Sequence, residues 1–459
     1  MPIVPSPRRG LWPLTATALV TLAIPPGCVR YEPRSIDLSA HHAEFLLRTP
    51  QPSLAESRPD QAAADDRSAI SVDDAELIAL LLNPDLRVAR AELGIAEASA
   101  REAGRWDDPV FEADIARILE SVVEPWEAAG ALRVTLPISG RLEAERARAG
   151  AARDAELLRV QALEWETRLA VREAFADLVA ARRRRSELTD DIRRVETVVE
   201  IVDRLEQSGE LSRIQSRLFR IESATRRDLL RGAELAERDG EIALRTLLGL
   251  PARATLACAE AFPNAARPDD ATLRSRFPTG APAIDVARAE YEVHERSLAL
   301  AVRAQYPDLA LSPGLSREGG EGVSNRVLLG LSLPIPILNG NAQAIAEATA
   351  ARGAAEARLT TLVERLSNDL ERALARRATA IERRDRFVAE LVPLVEAQLE
   401  DARRIAELGE IDALVLLETL SRRADVRLAL IDAEREAVAA AVELDRIIGP
   451  SIASSEVQP

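Results

Sequence analysis

The chain has 459 residues, of which 29% are charged and only 3% aromatic, and its formal net charge at pH 7 is −15. The length alone would allow roughly two to four domains, but Ala, Leu, Arg and Glu dominate and large side chains are scarce, which is typical of long helices and coiled coils. The acidic balance disfavours nucleic acid as a partner.

The N-terminus has the pattern of an export signal. A basic pair precedes a mostly apolar run over residues 11–24, which is shorter than the roughly twenty residues of a membrane span. Cys28 directly follows Gly27 and resembles the acylation site of bacterial lipoproteins, although the two preceding prolines depart from that pattern. We therefore expect a signal peptide over residues 1–27 and lipid attachment at Cys28. Simple cleavage nearby, with Cys28 removed or left free, is the alternative.

The next segment, residues 28–70, is rich in Pro, Ser, Ala and Asp and shows no steady period. It predicts an extended N-terminal arm or partial disorder. Ser71, with Asp74 three residues on, predicts the N-cap of a helix that runs to about Gly104. Pro84 interrupts this pattern, so the first turns are expected to form a separate short helix.

Internal similarity shows that the chain is a tandem duplication. VARAEL from Val88 matches VARAEY from Val286 at an offset of 198, and TLPI from Thr135 matches SLPI from Ser332 at an offset of 197. Three glycines recur at an offset of 200, namely Gly140, Gly209 and Gly249 with Gly340, Gly409 and Gly449. The predicted divisions are repeat 1 over 71–250, a Pro-rich linker over 251–282, repeat 2 over 283–449 and a tail over 450–459.

Each repeat contains two segments in which apolar and polar residues alternate, as in strands with one buried face. The predicted strands cover residues 110–119, 130–139, 307–315 and 325–337. Four strands of about ten residues with one apolar face have the length and pattern of transmembrane β-strands, although a soluble hairpin over the helices would have the same pattern. No later segment predicts a transmembrane helix, so a membrane crossing would have to use strands.

Very long helical patterns follow the strands, over residues 141–208 and 341–408. About 65 helical residues at 1.5 Å each reach about 100 Å, and Pro393 should kink or loosen the second of these helices. Apolar residues recur in steps of four and three, which is the seam of a coiled coil. They are Leu188, Ile192, Val195, Val199 and Val202 in repeat 1 and Val388, Val392, Val395, Leu399 and Ala402 in repeat 2.

Both helical patterns stop at a Gly-Glu pair, at Gly209 and at Gly409, and a second helical pattern starts directly afterwards. Gly permits the sharp reversal that a hairpin needs, so we predict two antiparallel helical hairpins with return helices over 211–249 and 411–448. An ordinary helix end is the alternative for a single Gly, but two copies in one register favour hairpin tips. Leu211, Ile214, Leu218 and Ile221 are expected to continue the seam.

These motifs resemble the TolC-like outer-membrane efflux family, and more narrowly its cation-efflux and lipoprotein branches. The similarity covers residues 71–449 and includes NPDLRVARAELGIAEA from Asn83, the two LPI motifs, the two tips and the LLGLP that closes repeat 1. It implies a mainly α fold with transmembrane β-strands, in which a homotrimer closes one shared 12-stranded β-barrel in the outer membrane. A long coiled-coil barrel would extend from it into the periplasm. Pooling strands is physically sensible, because four strands cannot close alone and open edges are not tolerated in lipid.

The resemblance also implies a function as the passive exit duct of a tripartite efflux system, opened when a periplasmic adaptor and an inner-membrane pump dock at the tips. The adaptor-docking residues implied are Arg204, Gly209, Ser212, Arg404, Gly409 and Asp412. Alternatively, the arginines are solvated cations that the helix dipole favours. Glu418 stands where Leu218 stands in repeat 1, and the resemblance implies that it lines, with Asp412, a periplasmic gate that favours cations. The alternative is that Glu418 is simply exposed to solvent.

No pattern predicts an enzyme, a cofactor or a metal site. His41 and His42 are more simply a surface pair, and Cys28 and Cys258 are the only cysteines, so soft and imidazole ligands are scarce. Charge runs such as Arg182–Arg185 are expected to be solvated helix faces. The main alternative function is a lipid-anchored periplasmic coiled-coil structural or adaptor protein without a pore.

Overall fold

The computed structural model describes residues 30–50, 69–117, 119, 126–318, 324–407 and 413–450, in two compact units, residues 1–45 and 46–459. The predicted signal peptide and Cys28 lie outside the described residues. In the first unit, Asp37 accepts hydrogen bonds from the backbone N–H groups of Ser39 and Ala40, each at 3.0 Å, at the start of helix α1 (Leu38–Leu46). The expectation of an extended or disordered arm was therefore wrong for this stretch, because a local cap starts a helix without any long-range periodicity.

The described part of the second unit is mainly helical. Its helices are α2 (Val72–Leu82), α3 (Pro84–Glu102), α4 (Arg141–Ser208), α5 (Arg213–Leu247), α6 (Asp270–Arg276), α7 (Pro282–Arg303), α8 (Ala342–Arg386), α9 (Val392–Glu407) and α10 (Ala413–Ile448). The strands are β1 (Val110–Arg117), β2 (Trp126–Leu136), β3 (Leu309–Glu318) and β4 (Ser324–Ser332). None of the described helices has a stretch long and apolar enough to cross a membrane.

Local caps explain how α2 and α3 begin. Ser71 forms a reciprocal capping box with Asp74 at the start of α2, and the Asn83 side chain accepts hydrogen bonds from the N–H groups of Asp85 and Leu86 at 2.9 and 3.1 Å. Pro84 occupies the first turn of α3, where its missing N–H costs nothing. The two helices are therefore separate, as Pro84 predicts.

The long helix of repeat 1 is continuous over 68 residues, which corresponds to about 100 Å. Its counterpart in repeat 2 is divided by a π-helical segment, Phe387–Leu391, in which the Val392 N–H donates to the Phe387 carbonyl. Pro393 follows directly. It has no N–H for the helical ladder and its ring crowds the preceding turn, so the disturbance predicted from Pro393 takes the form of this π segment.

The four strands form one antiparallel sheet in the order β1-β2-β3-β4. The strand limits differ from the predicted ones at several ends. β2 stops at Leu136 and β4 at Ser332, before the prolines of the LPI motifs, because proline cannot donate to the ladder. β2 also begins earlier than predicted, at Trp126, where it pairs with Arg117 of β1.

The register places apolar residues on one face of this sheet. Cross-strand partners such as Phe111 and Leu132, Leu315 and Val327, and Leu311 and Leu331 share that face. Phe111, Leu315 and Val327 are exposed by 72%, 66% and 84%. Apart from Val110 and Leu328, the opposite face is small or polar, with residues such as Ala131, Ser312 and Gly314. No residue that the structure describes therefore covers the apolar face.

The helices next to the sheet lie in the same order as the strands. α4 packs against α3 and α7, and α7 packs against α8, which gives the order α3-α4-α7-α8. Farther along, α4 contacts α5 and α10, and α10 contacts α9. The predicted linker over 251–282 contains α6, and its last residue begins α7, so it is not merely a connection.

Two glycines from the duplication have the same structural role. Gly249 and Gly449 have φ of 66° and 82°, which lie in the left-handed region. A Cβ at Gly249 would lie 2.1 Å from the Leu82 carbonyl oxygen, and one at Gly449 would lie 2.1 Å from the Gly280 carbonyl oxygen. Each return helix thus ends against the chain that leads into α3 or α7, in a space that only glycine fits.

Candidate functional site: the hairpin tips and the contacts between hairpins

The first predicted tip is a tight reversal between α4 and α5. Gly209 has a left-handed φ of 81°, and the N–H groups of Glu210 and Leu211 both donate to the Leu205 carbonyl, at 2.9 and 3.1 Å. The Ser212 hydroxyl accepts a hydrogen bond from the Gln215 N–H at 3.3 Å and donates to the Gln215 side chain at 2.7 Å. The tip is therefore defined by a glycine reversal followed by a capping box.

The two predicted docking arginines are exposed. Arg204 donates to the Glu200 carbonyl at 3.3 Å, and no carboxylate among the described residues forms an ion pair with it. Arg404 lies 3.9 Å from both Glu400 and Asp401, and two-thirds of its side chain is exposed. Gly409 and Asp412 lie outside the described residues. Both arginines thus keep donors available to a partner.

The apolar residues of the first return helix do not form a seam within the chain, which corrects the prediction. Ile214, Leu218 and Ile221 are exposed by 73%, 43% and 62%. The buried face of this part of α5 instead contains Ser216, Phe219, Ser223 and Arg226. This part of α5 therefore packs on α4 through Phe219 together with small and polar residues, and its apolar stripe has no partner among the residues that the structure describes.

Glu418 also differs from the expectation. It is exposed and pairs with Arg422 at 2.8 Å. Because Leu218 is itself 43% exposed, Glu418 does not replace a buried seam residue. Within the single chain, Glu418 is therefore an exposed carboxylate paired with an arginine one helical turn away. A role in a gate would require a surface formed with other chains.

The two hairpins meet at the predicted seam of the long helices. Val195, Leu399 and Leu420 form one buried cluster, which joins α4 to α9 and α10. Leu188 and Ala402 are also buried. The heptad pattern before each tip therefore marks a contact between the hairpins.

A buried charge network beside this seam was not predicted. Arg423, 5% exposed, donates to Glu187 of α4 at 2.7 Å and to Glu396 of α9 at 3.0 Å. Asp191, 1% exposed, lies 3.2 Å from Arg226 of α5. Two arginines thus link all four helices of the two hairpins. Arg226 also pairs with Glu222 one helical turn earlier, a spacing typical of solvated pairs, so only the tertiary packing shows that these arginines are buried.

The expectation that Arg182–Arg185 is a solvated face was also wrong. Arg182 donates to Glu241 of α5 at 2.8 Å, and Arg183 donates to Glu434 of α10 at 2.8 Å. Arg184 pairs with Asp432 of α10. This run therefore bridges α4 to two neighbouring helices.

Burial raises the pKa of the Asp191 carboxyl above its ordinary value, against the lowering effect of Arg226 and Arg423. Glu187 raises this pKa further and Arg194 lowers it. Both carboxylate oxygens are buried without a hydrogen bond among the described residues. The ionised carboxylate therefore opposes folding at neutral pH, and the penalty disappears as the pH falls through the folded-state pKa.

We accordingly expect Asp191→Asn to raise the thermal midpoint by a few degrees at pH 7 and to have less effect as the pH falls, because protonation of wild-type Asp191 then removes the penalty. Arg226 and Arg423 keep their other carboxylate partners in this variant. The measurement is loss of helical circular dichroism on heating at several pH values. A lower midpoint for the variant at pH 7 would show that ion pairing outweighs burial.

Among the described residues, no cluster of three or more His, Cys, Asp or Glu side chains could hold a metal ion. Cys258 is buried, and burial raises the pKa of its thiol. Among the described residues, the arrangement offers a sheet with an uncovered apolar face, long paired helices and an exposed tip at Gly209.

Comparisons with known proteins agree with this reading of the fold. VceC, an outer membrane protein of Vibrio cholerae, has 17% sequence identity and a TM-score of 0.68, with 82% of this chain and 96% of that chain covered. The open MtrE outer membrane channel of Neisseria gonorrhoeae has 16% identity and a TM-score of 0.66, covering 82% and 88%. The CmeC outer membrane channel of Campylobacter jejuni has 16% identity and a TM-score of 0.65, covering 82% and 85%. The chain thus has the fold of outer-membrane channels.

Sequence similarity to a known family covers the second repeat. Residues 275–450, which cover repeat 2, match the family model of the outer membrane efflux protein. This part of the chain is therefore similar to outer membrane efflux proteins, and the resemblance to TolC-like proteins is confirmed. No curated protein matches the chain. The match over repeat 2 and the shared fold together support a role as an efflux channel.

Proposed function

We propose that three copies of this chain form the outer-membrane exit duct of a tripartite efflux system, a passive conduit from the periplasm to the exterior. The observation that carries the proposal is the pair of open edges shared by the sheet and the helices beside it. Among the described residues, β1 pairs only with β2 and β4 only with β3. The helices beside the sheet likewise end at α3 and α8.

Open edges and an uncovered apolar face require a partner. An unpaired strand edge is costly in lipid, where no water satisfies its N–H and C=O groups. If β4 of one copy pairs with β1 of the next, and α8 with α3, both layers close around a common axis. Three copies supply twelve strands, with the apolar face towards lipid and the small, polar face towards the lumen.

The exposed stripe on α5 fits the same assembly. Ile214, Ile221, Leu235 and Ile242 recur in multiples of seven residues and are 45% to 73% exposed, although a heptad seam normally packs against another helix. A neighbouring copy would cover this stripe. The central test is the molar mass of the detergent-purified protein by light scattering, which should correspond to three chains. A monomer that remains in water without detergent would instead indicate a coiled-coil structural or adaptor protein.

In this assembly the hairpin tips point away from the membrane, where a periplasmic adaptor bound to an inner-membrane pump would dock. Arg204, Gly209 and Ser212 at the first tip, and Arg404, Gly409 and Asp412 at the second, would shape the contact. The available donors of Arg204 and Arg404 support this assignment, because exposed guanidinium groups pair readily with carboxylates.

Reversing both charges, with Arg204→Glu and Arg404→Glu together, should reduce crosslinking to the adaptor at least about tenfold, since each reversal replaces attraction by repulsion. The control is Arg193→Glu, which changes an arginine that is 71% exposed but lies about four helical turns before Gly209 at the tip. The trimer should stay intact in all variants. Unchanged crosslinking in the double variant would remove the arginines from the contact.

Glu418 would line the periplasmic gate, together with Asp412. Three copies of an exposed carboxylate near a common axis repel one another until a cation binds or the tunnel opens. We expect Glu418→Ala to lower the cation selectivity of single channels and their block by divalent ions. If both properties match the wild type, Glu418 does not face the pore.

Cys28 would carry a lipid that anchors the mature chain to the outer membrane. The proposal rests on the sequence alone, where Gly27 and Cys28 follow an apolar run. Mass spectrometry of the mature amino terminus tests it, and acylation should appear as an added mass on Cys28. An unmodified terminus downstream of Cys28 would contradict it.

A further inference from the structure

We propose that the second unit binds a doubly charged oxyanion of the phosphate type in a cavity of about 320 Å³, called the arginine pocket below. The cavity lies between α4, the linker, α6 and the end of α10. Its charged and aromatic lining residues are Trp165, Arg168, Arg172, Arg267, Arg276 and Asp445.

The arginine pocket has an excess of positive charge. Its four arginines face two carboxylates, Asp445 in the lining and Glu76 behind it, where Glu76 pairs with Arg168 at 2.7 Å and also with Arg172. Four positive and two negative charges leave a balance of two positive charges, although the whole chain has a net charge of −15. A dianion would neutralise this balance.

Several guanidinium donors in the pocket are unused. Nη1 and Nη2 of Arg168 and Nη2 of Arg172 form no hydrogen bond with any residue that the structure describes. Arg276 uses only Nη2, which donates to the Pro450 carbonyl at 2.8 Å and the Gly449 carbonyl at 3.4 Å. These unused donors come from α4 on one side and from α6 on the other.

The surrounding side chains hold the pocket in shape. Arg267 donates two hydrogen bonds to the Asp445 carboxylate, at 2.7 and 2.5 Å. The Trp165 indole N–H donates to the Asp445 carbonyl at 3.0 Å, and the Arg168 guanidinium lies over the Trp165 ring at 5.5 Å. Groups that are already oriented lose little freedom when a ligand binds, which favours affinity.

The donors fit phosphate better than a carboxylate. A phosphate group carries roughly two negative charges at neutral pH and accepts hydrogen bonds in several directions, whereas a carboxylate carries one charge and accepts one planar fork. A purely structural role would explain two of the arginines: Arg267 neutralises Asp445, and Nη2 of Arg276 caps the carbonyl end of α10. It does not explain the unused donors of Arg168 and Arg172.

The position of the pocket selects a soluble source for the phosphate. Trp165 lies 24 residues along α4 from Arg141, the helix residue nearest the sheet, which corresponds to about 36 Å. If the sheet lies in the outer membrane, as proposed above, a headgroup of that membrane does not reach the pocket. A free phosphate or a soluble phosphorylated molecule does.

The test is calorimetric titration of the full chain in detergent with inorganic phosphate at pH 7.5, with ionic strength held constant by chloride. We expect saturable binding of one phosphate per chain and a loss of affinity of about tenfold or more in Arg276→Gln, because a charged hydrogen bond is removed. Arg274→Gln is the matched control. Arg274 lies on the same short helix but pairs with Glu371 at 2.8 Å, and this variant should bind phosphate like the wild type.

Absence of saturable binding, or equal weakening by Arg274→Gln, would overturn the proposal. If Arg276→Gln does not fold, Arg168→Gln replaces it, since Glu76 keeps its pairing with Arg172 in that variant. Nanodiscs containing phosphatidic acid should not compete with phosphate, and competition would overturn the soluble source. Because conductance is not measured, failure here is distinguishable from failure of the pore proposal.

Discussion

A single methyl group at Gly314 should prevent most chains from assembling. A Cβ there would lie 2.7 Å from the Gly130 carbonyl oxygen and 2.9 Å from the Ala131 Cβ. Both of these atoms belong to β2. The pairing of β2 with β3 joins the strands of the two repeats. Overpacking typically costs about 1–3 kcal/mol, and a trimer would contain the change three times. Gly314→Ala should therefore greatly reduce the amount of heat-resistant oligomer on gels.

Gly130→Ala is the matched control for this experiment. It adds the same atom one strand away, but the nearest neighbour of the new Cβ would be the Phe111 ring at 3.7 Å, an ordinary contact distance. Assembly of this variant should resemble the wild type. If Gly314→Ala assembled as well as Gly130→Ala, the pairing of β2 with β3 would not be required for the oligomer.

Truncation of Arg423 should destabilise the contact between the two hairpins by about 3–5 kcal/mol, the usual cost of removing one partner of a buried ion pair. Its loss would leave Glu187, whose side chain is 11% exposed, near the buried carboxylate of Asp191. We expect Arg423→Ala to lower the thermal midpoint of helix loss by several degrees and to increase proteolysis near the tips.

The neighbouring arginine provides the control. Arg422 pairs with Glu418 at 2.8 Å, and the two side chains are 67% and 63% exposed, so Arg422→Ala should cost less than about 1 kcal/mol. Equal midpoints for Arg422→Ala and Arg423→Ala would show that the buried network does not hold the hairpins together.

Features set by local chemistry could be predicted from the sequence. Glycine at the first tip, a capping serine and the absence of proline over residues 141–208 each act within a few residues, so the limits of α4 and the reversal at Gly209 were predicted correctly. The strand ends before Pro137 and Pro334 follow from the same kind of signal, although the predicted strands passed through both prolines.

Features set by tertiary packing could not be predicted in this way. Arg423 and Arg422 are adjacent and identical, and only the approach of α4 and α9 makes one buried and the other exposed. Similarly, heptad spacing on α5 showed that Ile214 and Ile221 form a stripe, but it did not show that the stripe faces away from α4. Glu76 and the arginines of the arginine pocket are brought together by segments that are far apart in sequence.

Single-channel recording of the detergent-purified oligomer in planar bilayers tests the central claim most directly. Three chains that pool their strands should insert as one unit and give discrete conductance steps of uniform size. A purified protein that stays in aqueous solution as a single chain, and never conducts at any concentration added to the bilayer, would contradict the account.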